Sequence, residues 1–141
     1  DEPVLVAYGD SLSDIDIQEM IESHRRQQSL ATVAIAHPTG RNEILALNEQ
    51  GCYIGTKQGK KQKHSWVNAC SMVLEARAFD YLKENQENHF ALSLMDCLAA
   101  HEPVQTYRHE GFWSPVETIR DKTLMENLWA QHKAPWKVWE D

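Results

Sequence analysis

The sequence predicts an α/β domain built on a mostly parallel sheet, and three observations carry that prediction. Short β-branched apolar runs at Val4–Gly9 and Leu30–Ala36 have the length and composition of buried strands. Between them Ile15, Ile17, Met20 and Ile21 recur at helical spacing. Strand-like and helix-like segments then alternate to the C terminus, the pattern of an α/β layer architecture.

Val4–Gly9 reads as a buried strand closed by a glycine turn. Ser13 reads as the N-cap of a helix over residues 14–28, with Asp14 and Asp16 at its positive end. With the strand at Leu30–Ala36 this gives a right-handed strand–helix–strand unit in a parallel sheet. His37-Pro38-Thr39-Gly40 is a turn. Ile44–Leu47 and Cys52–Ile54 form a hairpin around Asn48–Gly51, and Gly55–His64, rich in lysine, glycine and glutamine, reads as a mobile loop. Trp66–Leu74 is a strand, Ala76–Lys83 and Phe90–Ala100 are short helices, Val104–Arg108 is a strand and Val116–His132 a long helix. The Trp-rich segment Pro135–Trp139 closes the chain, and its tryptophans read as packing or subunit contacts. At 141 residues this amounts to one domain.

Bulk properties exclude several function classes. Twenty-one acidic against 14 basic residues give a formal net charge of −7, which repels a phosphate backbone and argues against general nucleic-acid binding. A single phosphorylated metabolite stays compatible, because a bound metal reverses the local field. No apolar run approaches bilayer length, and the opening residues lack the basic and long apolar segments of a signal peptide. The chain opens almost directly on an apolar run, as expected of a domain that continues from upstream residues. Cys52, Cys70 and Cys97 are odd in number and widely spaced, which suits free thiols in a reducing cytoplasm. None of the seven histidines pairs at i, i+4, and Gly59-Lys60-Lys61 lacks the spacing of a phosphate loop, so its lysines read as a solvated face.

Ligands of such sheets sit at the carboxyl ends of strands. Two segments fall there. In Tyr8-Gly9-Asp10-Ser11, Gly9 lets backbone approach a ligand and Asp10 offers a carboxylate to a hard divalent cation; an ordinary turn or cap role for Asp10 is the competing reading. In His109-Glu110-Gly111-Phe112-Trp113-Ser114-Pro115-Val116-Glu117-Thr118, Glu117 falls in the first turn of a helix, where the dipole alone favours it; His109, nearest the proposed site, reads as a turn or core histidine.

Two long stretches, VAYGDSLSDIDIQEMIESHRRQQSLATVAIAHPTGR and YRHEGFWSPVETIRDKTLMENLWAQHKAPWKVW, resemble glucose-1-phosphate cytidylyltransferase, and WVNACSMVLEARAFDYL is similar to it more loosely. The resemblance covers nearly the whole chain. It implies a Rossmann-like nucleotidyltransferase fold with a mixed, mostly parallel sheet, of which residues 1–141 would be the sugar-binding, metal-completing portion. The glycine-rich nucleotide-binding portion would be missing, leaving the first strand unpaired on one side. The implied reaction converts CTP and glucose 1-phosphate to CDP-glucose and pyrophosphate with Mg2+, by positioning and charge neutralisation. Such a product usually feeds surface-polysaccharide synthesis such as O-antigen.

Carried over by position, the resemblance implies that Asp10 and Glu117 are the two metal-binding carboxylates, Glu117 standing where the family has aspartate. Lys57 matches the lysine that contacts the sugar phosphate, with Thr56 and Gln58 in place of its glutamate and proline neighbours. Asn68 matches the asparagine of a sugar-pocket Asn-Gly-Gly, here followed by Ala69 and Cys70, whose side chains narrow the pocket. These departures keep open two rival expectations: a catalytically dead remnant or interaction module of the same fold, and a transferase using another base or sugar. The expected setting is cytoplasmic, with homo-oligomerisation possible.

Overall fold

The computed structural model describes residues 2–38, 44–57, 65–82 and 90–140. Their main feature is a six-stranded sheet in the order β1-β6-β3-β7-β5-β4, built from β1 (Val4–Ala7), β3 (Ala31–Ala36), β4 (Ile44–Leu47), β5 (Tyr53–Lys57), β6 (Val67–Leu74) and β7 (Val104–Arg108). A separate two-stranded ribbon joins β2 (Ser11–Ser13) to β8 (Trp113–Pro115). The helices are α1 (Ile17–Gln27), α2 (Ala78–Leu82), α3 (Phe90–Ala99) and α4 (Ile119–Ala130).

The sheet is mixed. Followed through successive pairings, β1, β3, β7 and β4 run in one direction and β5 and β6 oppose them. The parallel character lies in strand direction: β3–β7 is the parallel neighbour pair. The expected strand–helix–strand unit is accordingly altered. β1 and β3 share a direction but are not neighbours, because β6 is inserted between them and pairs antiparallel with both. The hairpin of β4 and β5 forms as expected, although β5 extends through Lys57 into the segment read as a loop. The rest of that lysine-rich stretch, residues 58–64, lies outside the described residues.

Period-two alternation sorts the core into two layers. Val33 and Ile35 of β3 and Met72 and Leu74 of β6 pack with Ala78, Leu94, Met95 and Leu98 of the α2–α3 side. Ala34 and Ala36 of β3, with Val67, Ala69 and Val73 of β6, pack with Ile15, Met20 of α1 and Trp113. Every residue of β3 is buried because both its faces are covered, which explains why it reads as a continuous apolar run. β1 does not share that fate. Val4 and Leu5 are 42% and 40% exposed, contrary to the buried strand expected, because β1 pairs with β6 alone at the sheet edge.

Two helix starts also differ from the sequence reading. Ser13 lies in β2, so the cap of α1 is Asp16, whose carboxylate accepts from Glu19 N–H at 2.9 Å. The ribbon takes Ser13, the residue expected to cap the helix, and the helix begins three residues later than expected. At the other end of α1 the fully buried His24 places Nδ1 2.9 Å from Thr32 Oγ1 and Nε2 2.9 Å from Glu75 Oε1, joining the helix to β3 and to the residue after β6. Helix α4 starts at Ile119, not Val116, since Thr118 and Asp121 form a capping box. Glu117 therefore precedes the cap and is outside the first helical turn.

Candidate active site

The carboxyl end of β1 leads through Tyr8 and the turn at Gly9-Asp10 directly into β2. β2 pairs antiparallel with β8 in the register Ser11↔Pro115, Leu12↔Ser114 and Ser13↔Trp113. One step beyond the ribbon, Val116 N–H donates to Asp10 C=O at 2.7 Å. The ribbon thus sets Asp10 beside the segment that carries Glu117, although the two are remote in sequence. Both side chains belong to exposed residues. A Cβ added to Gly9 would meet nothing within 4 Å, so the chain's own packing does not demand glycine there.

β6 supplies the neighbouring wall. Opposite Val33 and Ile35 of β3 stand Met72 and Asn68 of β6, so the ladder shifts and β6 bulges between them. Cys70 lies in this bulge at φ 62°, a left-handed conformation that glycine adopts more readily. Its neighbours hold the bulge in place. Asn68 Oδ1 accepts from Cys70 N–H at 2.8 Å and its Nδ2 donates to Met95 Sδ at 3.7 Å. Tyr8 N–H donates to Cys70 C=O at 3.0 Å, and Trp113 Nε1 donates to Ala69 C=O at 3.1 Å. The bulge thereby binds β1, β6 and β8 together at one end of the sheet.

The electrostatics report the same convergence. Burial first, then the charge of Asp10 and more weakly that of Glu117, push the Cys70 thiol up to about 11, against a hydrogen bond with Ser11 that lowers it. Burial, with Cys70 and Asp10 nearby, also raises the Tyr8 phenol. Tyr8 Oη is buried without a hydrogen-bond partner among the described residues. Sequence placed Tyr8 beside Asp10 and Cys70 in the sugar pocket but did not show that the two meet; the pairing of β1 with the bulged β6 brings them together.

A third layer of contacts fixes the loop between β7 and β8. His109 N–H donates to Ile35 C=O at 2.8 Å, continuing the parallel ladder past the end of β7. Its Nε2 lies 2.8 Å from Phe112 C=O and 3.0 Å from Asp14 Oδ1. Asp14 Oδ1 also accepts from Phe112 N–H at 2.7 Å. His109 is thus a buried turn histidine, whereas Asp14 serves this loop and leaves the helix cap to Asp16. Nearby, His37 Nε2 pairs with Glu110 Oε2 at 2.9 Å and its ring stacks on Trp66 at 4.3 Å.

The other sequence-derived site residues are placed as follows. Asn68 flanks the bulge, paired with Ile35, with both ends of its amide engaged. Lys57 is exposed at the end of β5, and three strands, β6, β3 and β7, stand between β5 and β1 in the sheet order. The outer hairpin reaches back through Leu45 N–H, which donates to Trp66 C=O just before β6 at 2.9 Å. Two surface cavities, of about 300 and 270 Å3, are lined by His24, Arg25 and Glu75 and by Trp129, His132 and Lys137 respectively, and neither is lined by Asp10 or Glu117. Among the described residues no group of three His, Cys, Asp or Glu side chains is arranged to hold a metal ion. Two exposed carboxylates are still a hard-oxygen donor set of the kind Mg2+ uses when substrate phosphates complete its shell.

No protein-family model matches the chain. It is 34% identical over 141 residues to a glucose-1-phosphate cytidylyltransferase from Salmonella typhi and 32% identical over 140 residues to one from Salmonella typhimurium. Each alignment covers 99% of this chain and 54% of the relative, so the chain spans about half the length of the curated relatives it matches. Among solved structures, a protein from Bacillus anthracis described as a glucose-1-phosphate thymidylyltransferase superposes with a TM-score of 0.76 at 15% identity, covering 99% of this chain and 57% of that one. Apo UDP-glucose pyrophosphorylase superposes with a TM-score of 0.72 at 14% identity, covering 94% and 55%. The chain is therefore similar, over nearly its whole length, to about half of glucose-1-phosphate cytidylyltransferase, and its fold is that of the sugar nucleotidyltransferases.

Proposed function

We propose that this chain provides the sugar-phosphate and metal side of a cytidylyltransferase that converts CTP and glucose 1-phosphate to CDP-glucose and pyrophosphate. The observation that carries the reading is the ribbon contact between Val116 N–H and Asp10 C=O, which sets the segments bearing Asp10 and Glu117 side by side at the carboxyl end of β1. Asp10 and Glu117 are the residues to hold Mg2+, and the ion, when bound, neutralises charge on the transferring phosphates. The extra methylene of Glu117 carries its oxygens farther from the backbone than the family's aspartate does.

Within this reading Gly9 keeps the backbone beside Asp10 bare for the ligand's approach, supported by the open space around it. Lys57 meets the sugar phosphate as a point charge, reached through the hairpin that bends back toward β6. Asn68 shapes the sugar pocket by holding the bulge. Cys70 fills space beside the carboxylates where the family has only backbone. The exposed Trp129, Val138 and Trp139 near the C terminus suit contact between copies of the protein. No helix among the described residues is long and apolar enough to cross a membrane, and we place the activity in the cytoplasm, in nucleotide-sugar synthesis for surface polysaccharides such as O-antigen.

A second reading has its own support: the side chains at Ala69 and Cys70 and the longer Glu117 suit a remnant that keeps the fold and has lost turnover. One experiment separates the two. CDP-glucose formation is measured from CTP and glucose 1-phosphate with Mg2+, for this chain and for a chimera joining it to the portion of the Salmonella typhi relative it does not match. Turnover by the chimera that falls at least about a hundredfold in Asp10→Asn is expected, on the scale of losing a key electrostatic group. A folded chimera without turnover, or full activity in the Asp10→Asn form, overturns the enzyme reading.

A further inference from the structure

The surroundings of Gly111 have no part in the chemistry proposed above, yet of Gly9, Gly51, Gly55 and Gly111 this glycine has the least room for a side chain. A Cβ at Gly111 would lie 2.6 Å from Asp14 Oδ1 and 2.8 Å from His109 Cε1. Only glycine lets Asp14 and His109 close on the loop at that distance. Asp14 meets it twice through the chain beyond: its carboxylate accepts from Phe112 N–H at 2.7 Å, and its own N–H donates to Phe112 C=O at 3.2 Å. His109 Nε2 meets Phe112 C=O, a pure acceptor, at 2.8 Å, so this nitrogen carries the proton, and Asp14 Oδ1 lies 3.0 Å from it. His109 is itself fixed to the sheet by its N–H to Ile35 C=O.

The consequence runs along the ribbon. Residues after Phe112 pair one by one with β2: Trp113 with Ser13, Ser114 with Leu12, Pro115 with Ser11, and then Val116 N–H reaches Asp10 C=O. A ribbon of three residues per strand has little stability of its own. Its register has to be set from one end, because a slip of one residue would turn every side chain to the other face. The Asp14 end is anchored to the central sheet. The Asp10 end lies on an exposed turn, two residues beyond the last tie of this segment to the sheet, Tyr8 N–H to Cys70 C=O.

We propose that Asp14, held by Phe112 through its carboxylate and its own N–H and set against His109 Nε2, is a positioning residue that fixes the β2–β8 register and thereby holds Glu117 alongside Asp10. This rests on the reading of Asp10 and Glu117 as one cation site, and its test is chosen to separate the two. Asp14→Asn keeps an oxygen acceptor for Phe112 N–H, so it preserves the register; Asp14→Ala removes the acceptor; Gly111→Ala keeps the Asp14 side chain but forces it out of its present position.

The direct readout is amide hydrogen exchange by NMR in the full 141-residue chain, with no metal present. In Asp14→Ala and Gly111→Ala, Val116 N–H exchanges at least about tenfold faster than in wild type, while Val33 and Met72 in the central sheet keep their protection. In Asp14→Asn all three stay protected. Unchanged Val116 protection in a folded Asp14→Ala or Gly111→Ala chain overturns the proposal, and so does equal loss in Asp14→Asn. Should Asp14→Ala not fold, Gly111→Ala and Asp14→Asn give the same decision.

Mn2+ binding, followed by its electron paramagnetic resonance signal, is the second readout. Affinity falls about tenfold or more in Asp14→Ala and is retained in Asp14→Asn, as for residues that orient metal ligands. Mn2+ bound equally by wild type and Asp10→Asn would overturn the cation-site reading, whereas the exchange of Val116 would still decide the role of Asp14. Loss of Val116 protection without any change in Mn2+ affinity overturns the link from register to site.

Discussion

Cys70 shows how much one residue can alter in a site whose outline is inherited from a fold. Its left-handed backbone imposes a strain that glycine would not feel, of about 1–2 kcal/mol. Cys70→Gly relieves it but restores roughly 0.5–1 kcal/mol of unfolded-chain freedom. The variant is therefore expected to be as stable as wild type or more stable by up to about 1 kcal/mol. Cys70→Val, with a β-branched side chain at positive φ, is expected to lose about 2 kcal/mol. Urea denaturation of both measures the difference; a Gly variant less stable than the Val variant would show that the bulge is not strained at this residue. From sequence, Asn68-Ala69-Cys70 marked a pocket with side chains in place of bare backbone. The positive φ was not legible, because it arises from a bulge that depends on the pairing partners of β6, which adjacent residues do not encode. For the same reason Asp14 read as a helix-end carboxylate: its partner, Phe112, lies far away in sequence and is brought near by the β2–β8 ribbon.

Among the elements, α4 illustrates a boundary set by side-chain chemistry. Thr118 Oγ1 accepts from Asp121 N–H at 3.1 Å and Asp121 Oδ2 accepts from Thr118 N–H at 3.0 Å. The helix buries little against the sheet, Met125 being its buried residue, so its cap carries a larger share of its stability than in a well-packed helix. Thr118→Ala is expected to cost about 1 kcal/mol, with helix loss in far-UV circular dichroism. The hydrogen bond from Thr118, and secondarily the backbone N–H groups there, hold the Asp121 carboxyl below its usual range. A lowered folded pKa means that this contribution is fully present above the ordinary carboxylate range and fades as pH falls through the lowered value. Thr118→Ala should accordingly narrow the stability gap between neutral and acid pH; a gap equal to wild type would contradict the capping role. The strand elements were legible wherever both faces are covered, as in β3, where burial on both sides writes an unbroken apolar run. β2 and β8 were not, since three-residue strands leave no period to detect.

Across the whole molecule, alternation of strands and helices announced an α/β layer, and the two core clusters on opposite faces of β3 and β6 are its physical basis. The order of strands was beyond the sequence. Nothing in Val4–Ala7 or Ala31–Ala36 reveals that β6, some thirty-five residues downstream of β3, would insert between them, because that choice depends on which edges the whole chain leaves open. The resemblance reached further, naming Asp10 and Glu117 as partners before any topology was considered. Their convergence is the claim on which the reading of this protein depends, and Cys70 reports on it, since its thiol is raised in part by both charges. The decisive measurement is the pH dependence of Cys70 alkylation in a Cys52→Ser, Cys97→Ser background, compared with Asp10→Asn and Glu117→Gln versions of it. A thiol pKa near 11 that falls in both variants, more in Asp10→Asn, is the predicted result. A value that moves in neither, or only in Asp10→Asn, would show that the two carboxylates do not share one site.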